Sequence, residues 1–99
     1  MIIELRKFGT ALISRQAGKE SYAAFQSSLK DIPEQEKIVV DFDGVITSSP
    51  SWGDEFLTPL IKCYSNRFKM MHTDNPSVKA TFDILERANN LKFNNIEKN

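Results

Sequence analysis

Ile38-Val39-Val40-Asp41-Phe42-Asp43-Gly44-Val45-Ile46-Thr47 is the stretch whose reading decides the fold. Its unbroken β-branched apolar start is the pattern of a strand covered on both faces, and Asp43-Gly44 ends it in a turn. This is the central strand of an α/β domain. Upstream, Ser14 is placed to cap a helix carrying Tyr22, Phe25 and Leu29 at spacings of three and four, until Asp31-Ile32-Pro33 stops it. Before that helix, the alternation at Ile3 and Leu5, the turn at Lys7-Phe8-Gly9 and the trio Ala11-Leu12-Ile13 predict a hairpin.

Downstream, Ser51-Trp52-Gly53-Asp54 reads as a capping box with Asp in place of the usual Glu. Phe56, Leu57, Leu60, Ile61 and Tyr64 continue it with helical spacing. Pro59 removes one hydrogen bond, so the helix either kinks there or restarts with Thr58 as its cap. Phe68, Met70, Met71 and Thr73 predict a further strand. Asp74-Asn75-Pro76 then opens a last helix with the stripe Val78, Phe82, Leu85 and Ala88. The sum is ββαβαβα, a single α/β domain over residues 1–92 with a frayed tail at 93–99. The expected sheet is mixed, because the crossovers are parallel and the hairpin antiparallel.

Composition bounds the function. Ninety-nine residues, 40% hydrophobic and 26% charged, suffice for one core and not for a multidomain enzyme. Thirteen basic residues cancel thirteen acidic ones, which leaves no electrostatic footprint for nucleic acid or an anionic membrane. A single cysteine, Cys63, and a single histidine, His72, exclude an internal disulfide and a zinc site built from them alone. No signal-peptide h-region and no membrane-spanning run occur, so the sequence predicts a cytoplasmic protein. No resident cofactor is expected, since four scattered glycines build no phosphate loop. By the open-sheet rule, ligands and partners meet such folds beyond the carboxyl ends of the strands, which directs attention to residues 43–51.

Val39-Val40-Asp41-Phe42-Asp43-Gly44-Val45 resembles the first motif of haloacid-dehalogenase-like phosphatases. That resemblance implies Asp41 as nucleophile, Asp43 as general acid and base, and a magnesium ion to neutralise the phosphoryl charge. The later Ser/Thr, Lys and acidic pair of that family have no counterpart here, and forty residues precede the motif instead of following it. A second resemblance covers about residues 2–90. Phe8-Gly9, Ser14-Arg15, Val39-Val40-Asp41-Phe42-Asp43-Gly44-Val45 and Ser49-Pro50-Ser51-Trp52-Gly53-Asp54-Glu55-Phe56, in that order, are similar to bacterial STAS-like domains of unassigned function. These are relatives of anti-anti-sigma factors and of the STAS domains of sulfate transporters.

The STAS-like resemblance implies a non-catalytic, regulatory protein–protein interaction module. Its contact loop would run through Thr47, Ser48, Ser49, Ser51, Trp52 and Asp54, and its partner would be a GHKL-type ATPase or kinase that phosphorylates a serine. Carried over by position, the acceptor serine falls on Pro50, so Ser51 is the candidate phosphoacceptor, at a helix N-terminus that favours a phosphate. Each residue also has a plainer role. Ser51 is equally an N-cap, and Thr47, Ser48 and Ser49 are turn hydroxyls. Asp41 and Asp43 serve as acceptors in the turn after the strand. Trp52 is either an exposed anchor or a core residue. Asp54 and Glu55 complement a helix dipole in its first turn. Arg15, disfavoured at a helix start, is expected to reach Asp41 or Asp43. Cys63 is expected to be a small buried hydrophobe and Met70 and Met71 core or edge filler, while His72 has no companions for catalysis. The chain reads as a monomer, or as a weak homodimer paired through the edge of the N-terminal hairpin.

Overall fold

A computed structural model describes residues 1–64, 67–90 and 96–97. The apolar run forms β3 (Ile38–Asp41), which lies between β1 (Ile2–Glu4) and β5 (Phe68–Met71), with β6 (Ile96–Glu97) outside β5. A second sheet pairs β2 (Ala11–Leu12) with β4 (Thr47–Ser48). The helices are α1 (Arg15–Leu29), α2 (Pro50–Tyr64) and α3 (Pro76–Asn89). The protein is thus a small α/β domain with parallel strands in two sheets.

The expected N-terminal hairpin is not formed. Leu5–Phe8 wind into a 3-10 turn that buries Leu5, and β1 and β2 enter different sheets. Every strand pair among the described residues is parallel, so the mixed sheet is corrected as well. The N-terminal edge expected of the hairpin is nevertheless present, since β1 is an outer strand of the four-stranded sheet. Of the predicted tail, Ile96–Glu97 pair with Met70–Met71, and the rest of 93–99 lies outside the described residues.

The strand order β1-β3-β5-β6 rises with sequence, and right-handed crossovers then put every connecting helix on one face of the sheet. Packing agrees: α2 lies between α1 and α3, and the core draws Ile3, Ile38, Val40, Phe68 and Met70 from the sheet. Val39 points away from that core. The helices therefore lie on one face of the central strand, yet Val39 on the other face is buried too, so all three apolar residues of the strand are covered as the sequence predicted. At the heart of the core, Trp52 stacks on Phe56 with ring centroids 4.8 Å apart, and Phe8 closes on Phe56 at 5.1 Å.

The local signals explain the helices. Ser14 Oγ accepts the Ala17 N–H at 3.0 Å and caps α1 as expected. Asn75 Oδ1 accepts the Ser77 and Val78 N–H groups, Pro76 occupies the first turn of α3, and Asn90 ends it in the left-handed conformation. Helix α2 runs unbroken through Pro59, so neither a restart nor a Thr58 cap occurs; Thr58 Oγ1 instead donates to Asp54 Oδ1 at 3.2 Å. Cys63 is exposed, not buried, in the last turn of α2, where Ile61 and Tyr64 take the core-facing positions. Ala88 is likewise exposed in the last turn of α3, whereas Met70 is buried in the core and Met71 is partly exposed.

Candidate functional site

The segment leaving β3 begins with a local turn. Asp41 Oδ1 accepts the Asp43 N–H at 2.9 Å, and Val45 N–H bonds Phe42 O at 3.0 Å. Gly44 takes a φ of +87°, where a Cβ would also stand 3.1 Å from Arg6 Cδ, so both conformation and space favour glycine. Beyond it, Ile46 and Thr47 N–H groups bond Thr10 O, and Ser49 N–H bonds Leu12 O at 2.9 Å, which docks β4 on β2.

The loop is then fastened from the side of α3. Ser77 Oγ accepts the Ser48 N–H at 2.9 Å and donates to Ser48 O at 2.9 Å, while Thr47 Oγ1 lies 3.1 Å away. Thr81 Oγ1 donates to the same Ser48 carbonyl at 3.0 Å. Asn75 Nδ2 holds Val45 O at 2.9 Å and Ile46 O at 3.1 Å. Sequence reasoning did not single out Asn75, Ser77 or Thr81 for this work. The signal was present, since Ser77 and Thr81 stand four apart beside Val78, Phe82 and Leu85, and polar groups flanking a buried stripe need partners.

The start of α2 differs from expectation by two residues. Pro50 is its first residue, and Ser49, not Ser51, is its cap: Ser49 Oγ accepts the Trp52 N–H at 3.3 Å and donates to Ile13 O at 2.6 Å. A proline in the first turn lacks the N–H that the helix start leaves unpaired, which explains why the helix begins there. Ser51, in the first turn and partly exposed, is released from the capping role. Asp54 and Glu55 fall in the second turn, beyond the reach of most of the dipole.

Several expected contact residues are not at the surface. Trp52 is 0% exposed, so it is a core residue and not a partner anchor. Ser48 is 6% exposed, and its Oγ has no hydrogen-bond partner among the described residues. Arg15 does reach a carboxylate, but on α2 and not at the end of β3 as predicted. It bonds Asp54 at 3.1 Å and approaches Glu55 at 3.8 Å, because α1 crosses directly over the start of α2. The two helices approach closely at Gly18, where a Cβ would meet Trp52 O at 2.6 Å. Ser14, Arg15, Ser49, Ser51, Asp54 and Glu55 therefore belong to one corner.

A separate cleft of about 280 Å³ opens at the carboxyl ends of β3 and β5, lined by Asp41, Asp43, His72, Thr73 and Asp74. His72 Nε2 lies 3.2 Å from Asp74 Oδ1, so the histidine has a carboxylate companion that the sequence reading missed. Among the described residues, no three His, Cys, Asp or Glu side chains converge closely enough to hold a metal ion. Among the same residues, no helix is long and apolar enough to cross a membrane. Comparison with protein-family models found no match, and neither curated proteins nor solved structures gave one.

Proposed function

We propose that the chain is a non-catalytic regulatory module of the STAS-like type, which offers the corner between α1 and α2 to a protein partner. The observation that supports this is convergence. Ser14-Arg15 and Ser49 to Glu55, two of the segments that carry the resemblance, are joined by the Arg15–Asp54 pair and the Ser49–Ile13 bond across 39 and 36 residues. The partner in this reading is a GHKL-type ATPase or kinase, encountered in the cytoplasm. The module holds no cofactor of its own, and the ATP belongs to the partner.

Regulation follows from the geometry of Ser51. The kinase moves the γ-phosphoryl of ATP to Ser51 Oγ, with ADP leaving and the hydroxyl proton lost to solvent. The new dianion then stands three and four residues before Asp54 and Glu55, on one helix face. It repels both carboxylates and competes with them for Arg15, which changes the corner that the partner reads. The test is a tagged pull-down of the full chain from its native host, followed by incubation of the recovered complex with ATP. Recovery of an ATPase that phosphorylates the wild type and not Ser51→Ala is expected. A recovered ATPase that modifies neither form, or both equally, removes Ser51 from the account.

The phosphatase reading is favoured by one observation, the polar cleft onto which Asp41 and Asp43 open. Against it, Asp41 Oδ1 accepts the Asp43 N–H, and among the described residues no third His, Cys, Asp or Glu side chain joins the two aspartates closely enough to hold a metal ion with them. Release of phosphate from p-nitrophenyl phosphate with magnesium, lost in Asp41→Asn, would carry that reading over the first.

A further inference from the structure

Asp43-Gly44 is the one place in the chain where an aspartate or asparagine is followed by glycine. An aspartyl side chain is open to attack at Cγ by the main-chain nitrogen of the next residue, which closes a five-membered succinimide ring. Glycine in that next position has no side chain to hinder the approach and the widest backbone freedom to permit it. The structure sets this pair in the turn after β3, where the Val45 N–H bonds Phe42 O at 3.0 Å and brackets them as the two central residues. Both are exposed, so water reaches the ring once it forms. Among the described residues, neither the Asp43 carboxylate nor the Gly44 N–H has a hydrogen-bond partner. The peptide plane between them therefore turns over without loss of a bond to its N–H, and Gly44, now at a φ of +87°, accepts either sign of φ.

We infer that Asp43 is a site of spontaneous isomerisation to isoaspartate in the folded chain. The Gly44 nitrogen attacks Cγ of the neutral Asp43 carboxyl; the new C–N bond forms as the C–OH bond breaks, and the hydroxyl leaves with the amide proton as water. Nucleophile and electrophile belong to adjacent residues, so the step is intramolecular. Water then opens the ring. Addition at Cγ restores aspartate, whereas addition at the Asp43 main-chain carbonyl leaves the chain running through Cβ and Cγ, which is isoaspartate. One water leaves and one returns, so the mass is unchanged and no other reactant takes part. The main chain is then one atom longer between two fixed points, the end of β3 and the Thr10 carbonyl that accepts the Ile46 and Thr47 N–H groups. The modified loop no longer fits the bonds that dock β4 on β2.

Prolonged incubation of the full chain in native buffer tests this, followed by peptide mapping with electron-transfer fragmentation, which tells isoaspartate from aspartate at a named residue. Circular dichroism shows that the chain and each variant are folded throughout. Isoaspartate is expected to accumulate at Asp43, while Asp31, Asp41, Asp54 and Asp83, each followed by a larger side chain, stay unmodified. Asp43→Glu is expected to abolish the product, since a glutamyl side chain must close a six-membered ring. Asp43→Asn is expected to hasten it, because the amide releases ammonia and the rise in mass reports the turnover directly. The converted chain is expected to unfold at a lower urea concentration than the fresh one. A wild type that keeps Asp43 unmodified overturns the inference whatever the variants do. So does isoaspartate that forms in urea and not in the folded chain, or that arises equally at the other aspartates. An unchanged urea midpoint in the converted chain overturns the effect on the loop.

Discussion

Single atoms decide several contests in this molecule. Gly18 lies inside α1, where alanine ordinarily gains about 1 kcal/mol of helix propensity. Its missing Cβ, however, leaves room for the Trp52 carbonyl, and a methyl there would approach it to 2.6 Å. Gly18→Ala is therefore expected to lower stability by about 1–3 kcal/mol in urea denaturation, the sign being set by the clash. The three serines of the loop separate in the same assay. Ser49→Ala loses the cap and the Ile13 bond and is expected to cost about 1–2 kcal/mol. Ser48→Ala removes a buried hydroxyl without a partner and is expected to be neutral or stabilising. Ser51→Ala is expected to change stability by less than about 0.5 kcal/mol, as a surface substitution outside the cap. The sequence already marked a serine cap at this helix, and it misplaced the cap because Pro50 was read as loop. Proline in a first turn and proline in a loop look alike until the N–H ledger of the helix is drawn up.

At the level of elements, the helices were legible because their signals are local. Ser14, Asn75-Pro76 and the three- and four-residue spacings act within one or two turns, and α1 and α3 start where those signals place them. The strands were legible as strands, yet their partners were not, since parallel pairing joins residues far apart and leaves no mark on either segment. That is why β1 and β2 looked like a hairpin, and why the two-residue strand β4 was not foreseen at all. The pair between Arg15 and Asp54 illustrates the limit: its chemistry was anticipated, its carboxylate was not. Both side chains are substantially exposed, so Arg15→Ala is expected to cost no more than about 1 kcal/mol in thermal unfolding while weakening partner binding. The groove between α1 and α2 gives a pH effect. Burial, with Cys63 and Tyr64 beside it, raises the pKa of the Tyr22 hydroxyl. A raised folded value means that the stabilisation is complete below the unfolded pKa and is lost as pH climbs through the folded one. Stability should therefore fall from about pH 10 upward, and Tyr22→Phe should flatten that fall.

For the molecule as a whole, the single face of helices is the property from which the rest follows. It gathers the starts of α1, α2 and α3 at one end, where Asn75, Ser77 and Thr81 hydrogen-bond the loop that leaves β3. A preformed corner of this kind binds without a large ordering cost, which suits a module that is read by a partner. The candidate site was legible as a region, residues 43 to 55, and not as a surface. Burial of Trp52 and Ser48 depends on helices that the local pattern does not bring together, and the contribution of Arg15 depends on the crossing at Gly18. The central claim is that this corner is a phosphorylation-controlled contact for a kinase-type ATPase. Peptide-mapped intact-mass analysis of the chain isolated from its host, with its bound proteins identified alongside, tests it most directly. The account predicts a fraction carrying one phosphoryl group on Ser51, and an ATPase bound to one of the two forms in preference to the other. A chain recovered without any phosphoryl group and without an ATPase would contradict it.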